Sequence, residues 1–216
     1  MWYRLNRAFF RAWFRLHFGF RIEGQHHEPP PPYIIIANHT SAVDGPLMAL
    51  AVRAPVAFVA KEELMHIGAL RAWIRSVGGI FVRRGDPGRA FLRTALDILS
   101  RGRVLGIFAE GTRSPDGRLQ PFEEGAAYCA LRAGIRVLPI AIIGSHRAMP
   151  KGAKFPRRAV VVLRIGEPLV VPKVEGVTGA LREEWTRKFH QTLAALLPPD
   201  QRPLPEPAPA PSPLQG

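Results

Sequence analysis

One cysteine in 216 residues, Cys129, leaves this chain without the means for an internal disulfide or a cysteine-based zinc cluster. Cys129 falls in the helix-like run Ala126-Ala127-Tyr128-Cys129-Ala130-Leu131, which makes it core filling rather than a nucleophile. No apolar stretch reaches the ~18 residues that a membrane-spanning helix needs. Arginines interrupt the N-terminus, so it carries no continuous apolar signal-peptide core. The body of the protein is therefore expected on the cytoplasmic side. Lysine is scarce, 5 residues against 25 arginines, and no acidic residue precedes Glu23. Apart from His39, the histidines are His17, His26, His27, His66, His146 and His190; none has metal-ligand spacing, and no metal is assigned.

What is present is basic. The formal charge is +13, and most of the cations are guanidinium groups, which grip phosphate with two parallel donors and stay ionised. Three partner classes follow: nucleic acid, an anionic membrane surface, and phosphate-bearing small molecules. A high-GC codon bias would raise arginine, alanine and proline together and accounts for part of the charge. A nucleic-acid-binding protein is the rival that the charge suggests, and it is disfavoured because the aromatics are not interleaved with basic residues on a binding face. They concentrate in one N-terminal helix and inside strands.

Residues 1–21 stand apart. Arg4, Arg7, Arg11 and Arg15 recur at steps of three and four along one helical stripe. Trp2, Leu5, Phe9, Phe10, Trp13, Phe14, Leu16, Phe18 and Phe20 fill much of the rest. This is the pattern of a helix lying among lipid headgroups, and equally of one packed on its own domain; one aromatic side can do each. Residues 1–28 are thus read as an amphipathic membrane-interface helix and linker, 29–197 as the compact domain, and 198–216 as a disordered Pro-rich tail. The four prolines Pro29 to Pro32 form a stiff spacer, and eight prolines fall among the last nineteen residues.

Within the compact domain, strand patterns at 33–37, 56–60, 79–83, 104–108, 136–142 and 159–165 alternate with helical patterns at 44–52, 68–76, 87–101, 122–133 and 178–197. That alternation predicts an α/β fold with a mixed, largely parallel sheet flanked by helices. Pro139, inside one strand pattern, predicts a strand at a sheet edge or one that ends at a bulge.

Polar clusters follow the strand patterns. Asn38-His39-Thr40-Ser41-Ala42-Val43-Asp44 comes directly after Tyr33-Ile34-Ile35-Ile36-Ala37. Five positions on one helix would leave His39 and Asp44 about 140° apart. They meet only if His39 sits on the turn and Asp44 on the first turn of the next helix. A pair so formed gives an imidazole whose tautomer and orientation a carboxylate fixes, as general-base catalysis requires. A loop histidine beside a capping aspartate is the plainer alternative. Glu110-Gly111-Thr112-Arg113-Ser114 follows Val104-Leu105-Gly106-Ile107-Phe108; Gly111 allows a tight turn and Arg113 a phosphate fork. Lys61 ends one strand pattern, and Arg83 and Arg84 end another. Four strand ends delivering such groups predict one shared cationic crevice, where α/β sheets bind ligands.

Together these segments resemble the glycerolipid acyltransferase family that includes 1-acylglycerol-3-phosphate acyltransferases. The family's Asn-His-x-Ser-x-x-Asp block (the HX4D motif) matches Asn38, His39, Ser41 and Asp44. Its Ile-Phe-x-x-Arg strand end matches Ile80, Phe81 and Arg84. Its Glu-Gly-Thr-Arg-Ser block matches Glu110 through Ser114. Its apolar-Pro-apolar block matches Val137, Leu138, Pro139 and Ile140. The likeness spans about residues 30–170. It departs at Ala109, where the family usually has proline, and at Arg83, where it often has an acidic residue; the second bears on headgroup choice.

The resemblance implies an acyltransferase domain over 29–197. It would move a fatty acyl group from acyl-CoA or an acyl-carrier-protein thioester to the sn-2 hydroxyl of 1-acylglycerol 3-phosphate, giving phosphatidic acid. His39 would be the general base and Asp44 its orienting carboxylate. Lys61, Arg84, Glu110, Gly111, Thr112 and Arg113 would bind substrate, with Asn38 and Ser41 supporting. Glu110 is expected to order the arginine or the Gly111 turn. The substrate's alcohol attacks directly, so no enzyme nucleophile is needed, and no cofactor beyond the thioester co-substrate is implied. Partners are a lysophospholipid, the acyl thioester with or without its carrier protein, and a membrane surface reached through residues 1–21. Location would be peripheral or monotopic on the cytoplasmic face of the cell membrane. Two alternatives stand beside this: an acyltransferase for another lysolipid, and a non-catalytic lipid-binding protein at the membrane surface. The latter gives no reason for the His39/Asp44 pair.

Overall fold

The computed structural model of the protein describes residues 2–61, 68, 80–82, 87–150, 152–153 and 155–204. Strands β1 (Gly19–Glu23), β2 (Ile34–Ala37), β3 (Val56–Lys61), β4 (Ile80–Val82), β5 (Val104–Phe108), β6 (Val137–Ile143) and β7 (Val160–Ile165) join in one sheet. Their spatial order is β1-β7-β6-β2-β5-β3-β4. Neighbours run parallel throughout, except that β6 and β7 are antiparallel. Helices α1 (Trp2–His17), α2 (Asp44–Ala51), α3 (Pro87–Ser100), α4 (Gly125–Ala133), α5 (Ser145–Ala148) and α6 (Gly179–Leu196) cover its faces.

Strand β2 shows why the sheet is sandwiched. Ile35 and Ala37 point to a core shared with Phe14 of α1 and Leu47 and Met48 of α2. Ile34 and Ile36 point the other way, to Ala95 of α3, Leu131 of α4 and Phe189 of α6. Both faces are buried, so the strand reads as a continuous apolar run. Each such side chain contributes about 1.5–3 kcal/mol on burial. Gly106 sets how closely α2 approaches. A Cβ there would lie 2.7 Å from Met48 Sδ, 2.8 Å from Phe58 Cε1 and 2.9 Å from Val56 Cγ1.

The boundaries of β5 match the sequence pattern, and those of β2, β3, β6, β7, α2, α3 and α6 fall within one residue of it. Helix α4 starts at Gly125, three residues past the expected 122. Four further features differ. First, the N-terminal helix stops at His17, and residues 19–23 are a strand rather than the end of the helix and the start of a linker. β7 would otherwise be an open edge; β1 closes it, and Glu23 pairs with Arg164 across the register at 2.9 Å. Second, β6 lies inside the sheet, between β7 and β2, so the expectation of an edge strand fails. The missing N–H of Pro139 is accommodated by a slip. Three steps along β6, from Ile140 back to Val137, answer four on the partner, from Ile165 to Leu169. Third, the tail does not begin at 198. Leu197 and Gln201 are buried, and 198–204 folds back on the domain because Asp200, Gln201 and Arg202 bond to it. Fourth, the short α5 had no counterpart in the sequence pattern. The expected helix at 68–76, Arg83, Arg84 and residues 205–216 lie outside the described residues.

Helix α1 rests on α2 through Phe14 and Phe18, both buried, while Leu5, Phe9 and Leu16 stay exposed on another side. Among the described residues, no helix is long and apolar enough to cross a membrane.

Candidate active site

Parallel register assembles the site. Ala37 of β2 lies opposite Phe108 of β5. Two residues further along each strand come His39 and Glu110, so the motifs of two strands leave the sheet side by side at the C-terminal edge. β3 ends at the same edge, with Lys61 as its last residue.

His39 occupies the turn and Asp44 opens α2. The His39 Nδ1 donates to Asp44 Oδ2 at 3.0 Å, and the backbone N–H groups of Thr40 and Ser41 donate to the same oxygen at 2.7 Å each. Two backbone N–H donors already occupy that oxygen, so it meets the ring only as an acceptor. Nδ1 therefore carries the hydrogen, and the Nε2 lone pair is free. Asp44 is wholly buried, whereas the His39 side chain is 21% exposed. The imidazole stacks on Phe108, with ring centroids 4.0 Å apart and planes 16° from parallel. Among the described residues Nε2 has no hydrogen-bond partner. Asp44 thus acts as a loop anchor and as the ring's orienting group; it does not cap the helix, whose N-cap is Val43 with no side-chain cap bond.

Asn38 substitutes for a stretch of strand. Its side chain donates to Ile142 O at 2.9 Å and accepts from Ile142 N at 2.7 Å, fixing the start of the loop to β6. Ser41 Oγ donates to Met149 O at 2.7 Å and accepts from Val43 N at 3.3 Å. Both residues hold the loop.

Glu110 departs from the expectation that it binds substrate, or orders the arginine or the Gly111 turn: it is 4% exposed, and its two oxygens accept the backbone N–H groups of His39 and Gln120. Oε1 accepts the His39 N–H at 2.6 Å and Oε2 the Gln120 N–H at 3.0 Å. A carboxylate so enclosed is a fastener of the histidine loop. Burial pushes its pKa from 4.5 up to about 7, against the lowering effect of the two N–H donors; the charges of Asp44 and Asp116 add to the rise.

Gly111 adopts φ 67°, and a Cβ there would meet Glu123 Cγ at 3.2 Å, so the turn demands glycine. Gly111 and Thr112 are exposed and Arg113 is half-buried. Among the described residues Arg113 has no hydrogen-bond or ion-pair partner, which leaves its guanidinium free for an anion. Its position in the motif follows His39 closely, since Ser114 N donates to His39 O at 2.7 Å. The structure therefore brings together His39, Asp44, Asn38, Ser41, Glu110 and the Gly111–Arg113 turn. The Lys61 side chain and Arg84 lie outside the described residues. Sequence reasoning passed over Phe108, Gln120 and Ser145. Phe108 was findable as the strand-end aromatic one register step from Ala37; Gln120 and Ser145 act through tertiary contacts with no local pattern.

Comparison with known proteins points to one family. The sequence profile of the family described as Acyltransferase matches residues 19–143. A human protein named 1-acyl-sn-glycerol-3-phosphate acyltransferase alpha is 34% identical over 131 residues, covering 57% of this chain and 46% of that protein. The 1-acyl-sn-glycerol-3-phosphate acyltransferase of Limnanthes douglasii is 27% identical over 187 residues, covering 85% of this chain and 65% of its own length. The chain spans about half the length of the first curated relatives it matches. Among solved structures, the 1-acyl-sn-glycerophosphate (LPA) acyltransferase PlsC of Thermotoga maritima superposes with a TM-score of 0.74 at 31% identity. That likeness covers 90% of this chain and 78% of the other.

Proposed function

This chain belongs to the Acyltransferase family, and on that premise we propose that it acylates the sn-2 hydroxyl of 1-acylglycerol 3-phosphate from an acyl thioester, forming phosphatidic acid. The observation that carries the reading is the His39 Nδ1–Asp44 Oδ2 contact of 3.0 Å, in a histidine whose side chain is 21% exposed past the C-terminal end of β2. In the proposed reaction Nε2 takes the proton of the acceptor hydroxyl as its oxygen bonds to the thioester carbonyl carbon. The tetrahedral intermediate then collapses, the C–S bond breaks, and the imidazolium returns its proton to the leaving thiolate. Asp44 holds the ring and offsets its transient charge. Phe108 restricts the ring's tilt from below.

Arg113 is the group proposed for the acceptor phosphate, supported by its free guanidinium beside the histidine loop. Arg84 is assigned to the same phosphate by the motif match, and Lys61 to the phosphate or to the developing oxyanion. Both acyl-CoA and acyl carrier protein satisfy the donor chemistry. Leu5, Phe9 and Leu16, exposed on α1 beside Arg15, would seat the protein on an anionic bilayer where a lysolipid resides. We assign that bilayer to the cytoplasmic face of the cell membrane.

A lysolipid with a different headgroup is the second reading, favoured by Arg83 at a position that is often acidic in the family. Mass spectrometry of products from a panel of lysolipids with one labelled acyl-CoA separates the two. Preferential conversion of 1-acylglycerol 3-phosphate to phosphatidic acid is the expected result. Preference for another acceptor, or thioester loss without lipid product, would contradict it.

A further inference from the structure

Gln201 lies 162 positions from His39 in sequence, yet it is 2% exposed and clamps two loops of the site, one through its main chain and one through its side chain. Its backbone carbonyl accepts the Leu119 N–H at 2.9 Å. Its Oε1 accepts the Gly144 N–H at 3.0 Å. Leu119 is followed by Gln120, whose N–H is bonded to Glu110, and Glu110 holds the His39 N–H. Gly144 is followed by Ser145, whose hydroxyl meets the Thr40 hydroxyl at 2.9 Å, and Thr40 adjoins His39. The links close a ring: His39, Glu110, Gln120, Leu119, Gln201, Gly144, Ser145, Thr40 and back to His39.

We propose that Gln201 is a positioning residue for the reaction proposed above, the closing link of a hydrogen-bonded ring that fixes the His39 loop. Its neighbours anchor it. Asp200 pairs with Arg147 at 2.7 Å, the Arg118 guanidinium donates to Arg202 O at 3.2 Å, and Gln201 N donates to Pro198 O at 3.0 Å. Gly144 cannot yield, because its φ is 82° and a Cβ would fall 2.2 Å from Val160 O. Three motif-bearing segments from distant parts of the chain are thereby tied by one C-terminal strap. Thr40 and Ser145, both fully enclosed, transmit the tie without touching substrate.

The test uses the full chain with 1-acylglycerol 3-phosphate and acyl-CoA. Gln201→Met keeps the shape and removes the acceptor; Gln201→Glu keeps an acceptor oxygen; Ser145→Ala cuts the ring on the other side. The expected result is a kcat lowered ~10–10²-fold in Gln201→Met, the scale of a small misplacement of a reacting group. The acceptor's KM should change little, activity should return substantially in Gln201→Glu, and the Met and Ala changes should combine non-additively. Hydrogen exchange should quicken in peptides covering 38–41 and 110–120. Wild-type kcat, a loss confined to KM, or additive effects would overturn the strap, as would unchanged exchange in those peptides. If Gln201→Met does not fold, Ser145→Ala decides alone: unaltered kcat and exchange there overturn the proposal. A wild-type chain without acyl transfer refutes the function instead, while the exchange result still judges the ring.

Discussion

Glu110 is bonded to the backbone of His39 and not to its ring: Oε1 accepts the main-chain N–H at 2.6 Å, while Nδ1 turns away to Asp44. Both carboxylates of the site therefore hold the loop, and Asp44 alone also holds the imidazole.

Because burial raises the Glu110 pKa from 4.5 to about 7, the folded chain binds this proton more tightly than the unfolded chain does. Its contribution to stability is full below pH 4.5 and is lost as pH rises through about 7. The difference is of order ~3 kcal/mol. Urea unfolding across this range should give wild type a falling component that Glu110→Gln lacks. Parallel curves for the two proteins would show that Glu110 titrates normally.

Asp44→Asn should preserve much of the fold and remove most of the activity. An amide oxygen in the Oδ2 position still accepts the Thr40, Ser41 and Nδ1 hydrogens, because all three converge on that one atom, but the negative charge that offsets the imidazolium is gone. The base is weakened, so turnover should fall ~10²–10⁴-fold. Steady-state kinetics with the wild-type KM retained is the check; turnover within a few-fold of wild type would mean the Asp44 charge is irrelevant.

Arg113→Ala should raise the KM of the phosphate-bearing acceptor ~10–10²-fold, with kcat little altered, since a hydrogen bond to a charged group contributes ~1.5–3 kcal/mol. Titrating the lysolipid at saturating acyl-CoA measures it. An unchanged KM would free Arg113 from phosphate binding.

Gly106→Ala should destabilise the chain by ~1–3 kcal/mol through overpacking against Met48, Phe58 and Val56. A lower urea midpoint at constant slope is the expected signature.

Much of this was readable beforehand. Strand and helix positions followed from apolar runs, because β2 and β5 are buried on both faces and leave no polar residue inside. The His39–Asp44 contact followed from residue spacing once a strand-turn-helix was assumed. Strand β1 was not legible: Phe20-Arg21-Ile22-Glu23 alternates, but the run is short and continues the aromatic and arginine pattern of the helix before it, and its pairing depends on β7 needing a neighbour. The interior place of Pro139 depends on a register slip between distant segments. Glu110 looked like a substrate ligand because its motif says nothing about the Gln120 N–H that occupies its second oxygen. Gln201 sat in a proline-rich stretch whose composition alone reads as a free tail.

The proposed membrane attachment can be tested apart from folding. Leu5, Phe9 and Leu16 are 65%, 64% and 80% exposed, so changing all three to serine leaves Phe14 and Phe18 in the core. The triple variant should lose co-sedimentation with anionic vesicles while keeping its unfolding midpoint. Undiminished vesicle binding would remove α1 from the interface. This variant is cleaner than deleting residues 1–21, which would also strip β1 from the sheet.

Formation of phosphatidic acid from 1-acylglycerol 3-phosphate and labelled acyl-CoA, compared between wild type and His39→Ala, tests the central claim most directly. The account predicts labelled phosphatidic acid and stoichiometric free thiol from wild type, with a rate ~10²–10⁴-fold lower in the variant. Equal rates in the two proteins would contradict it.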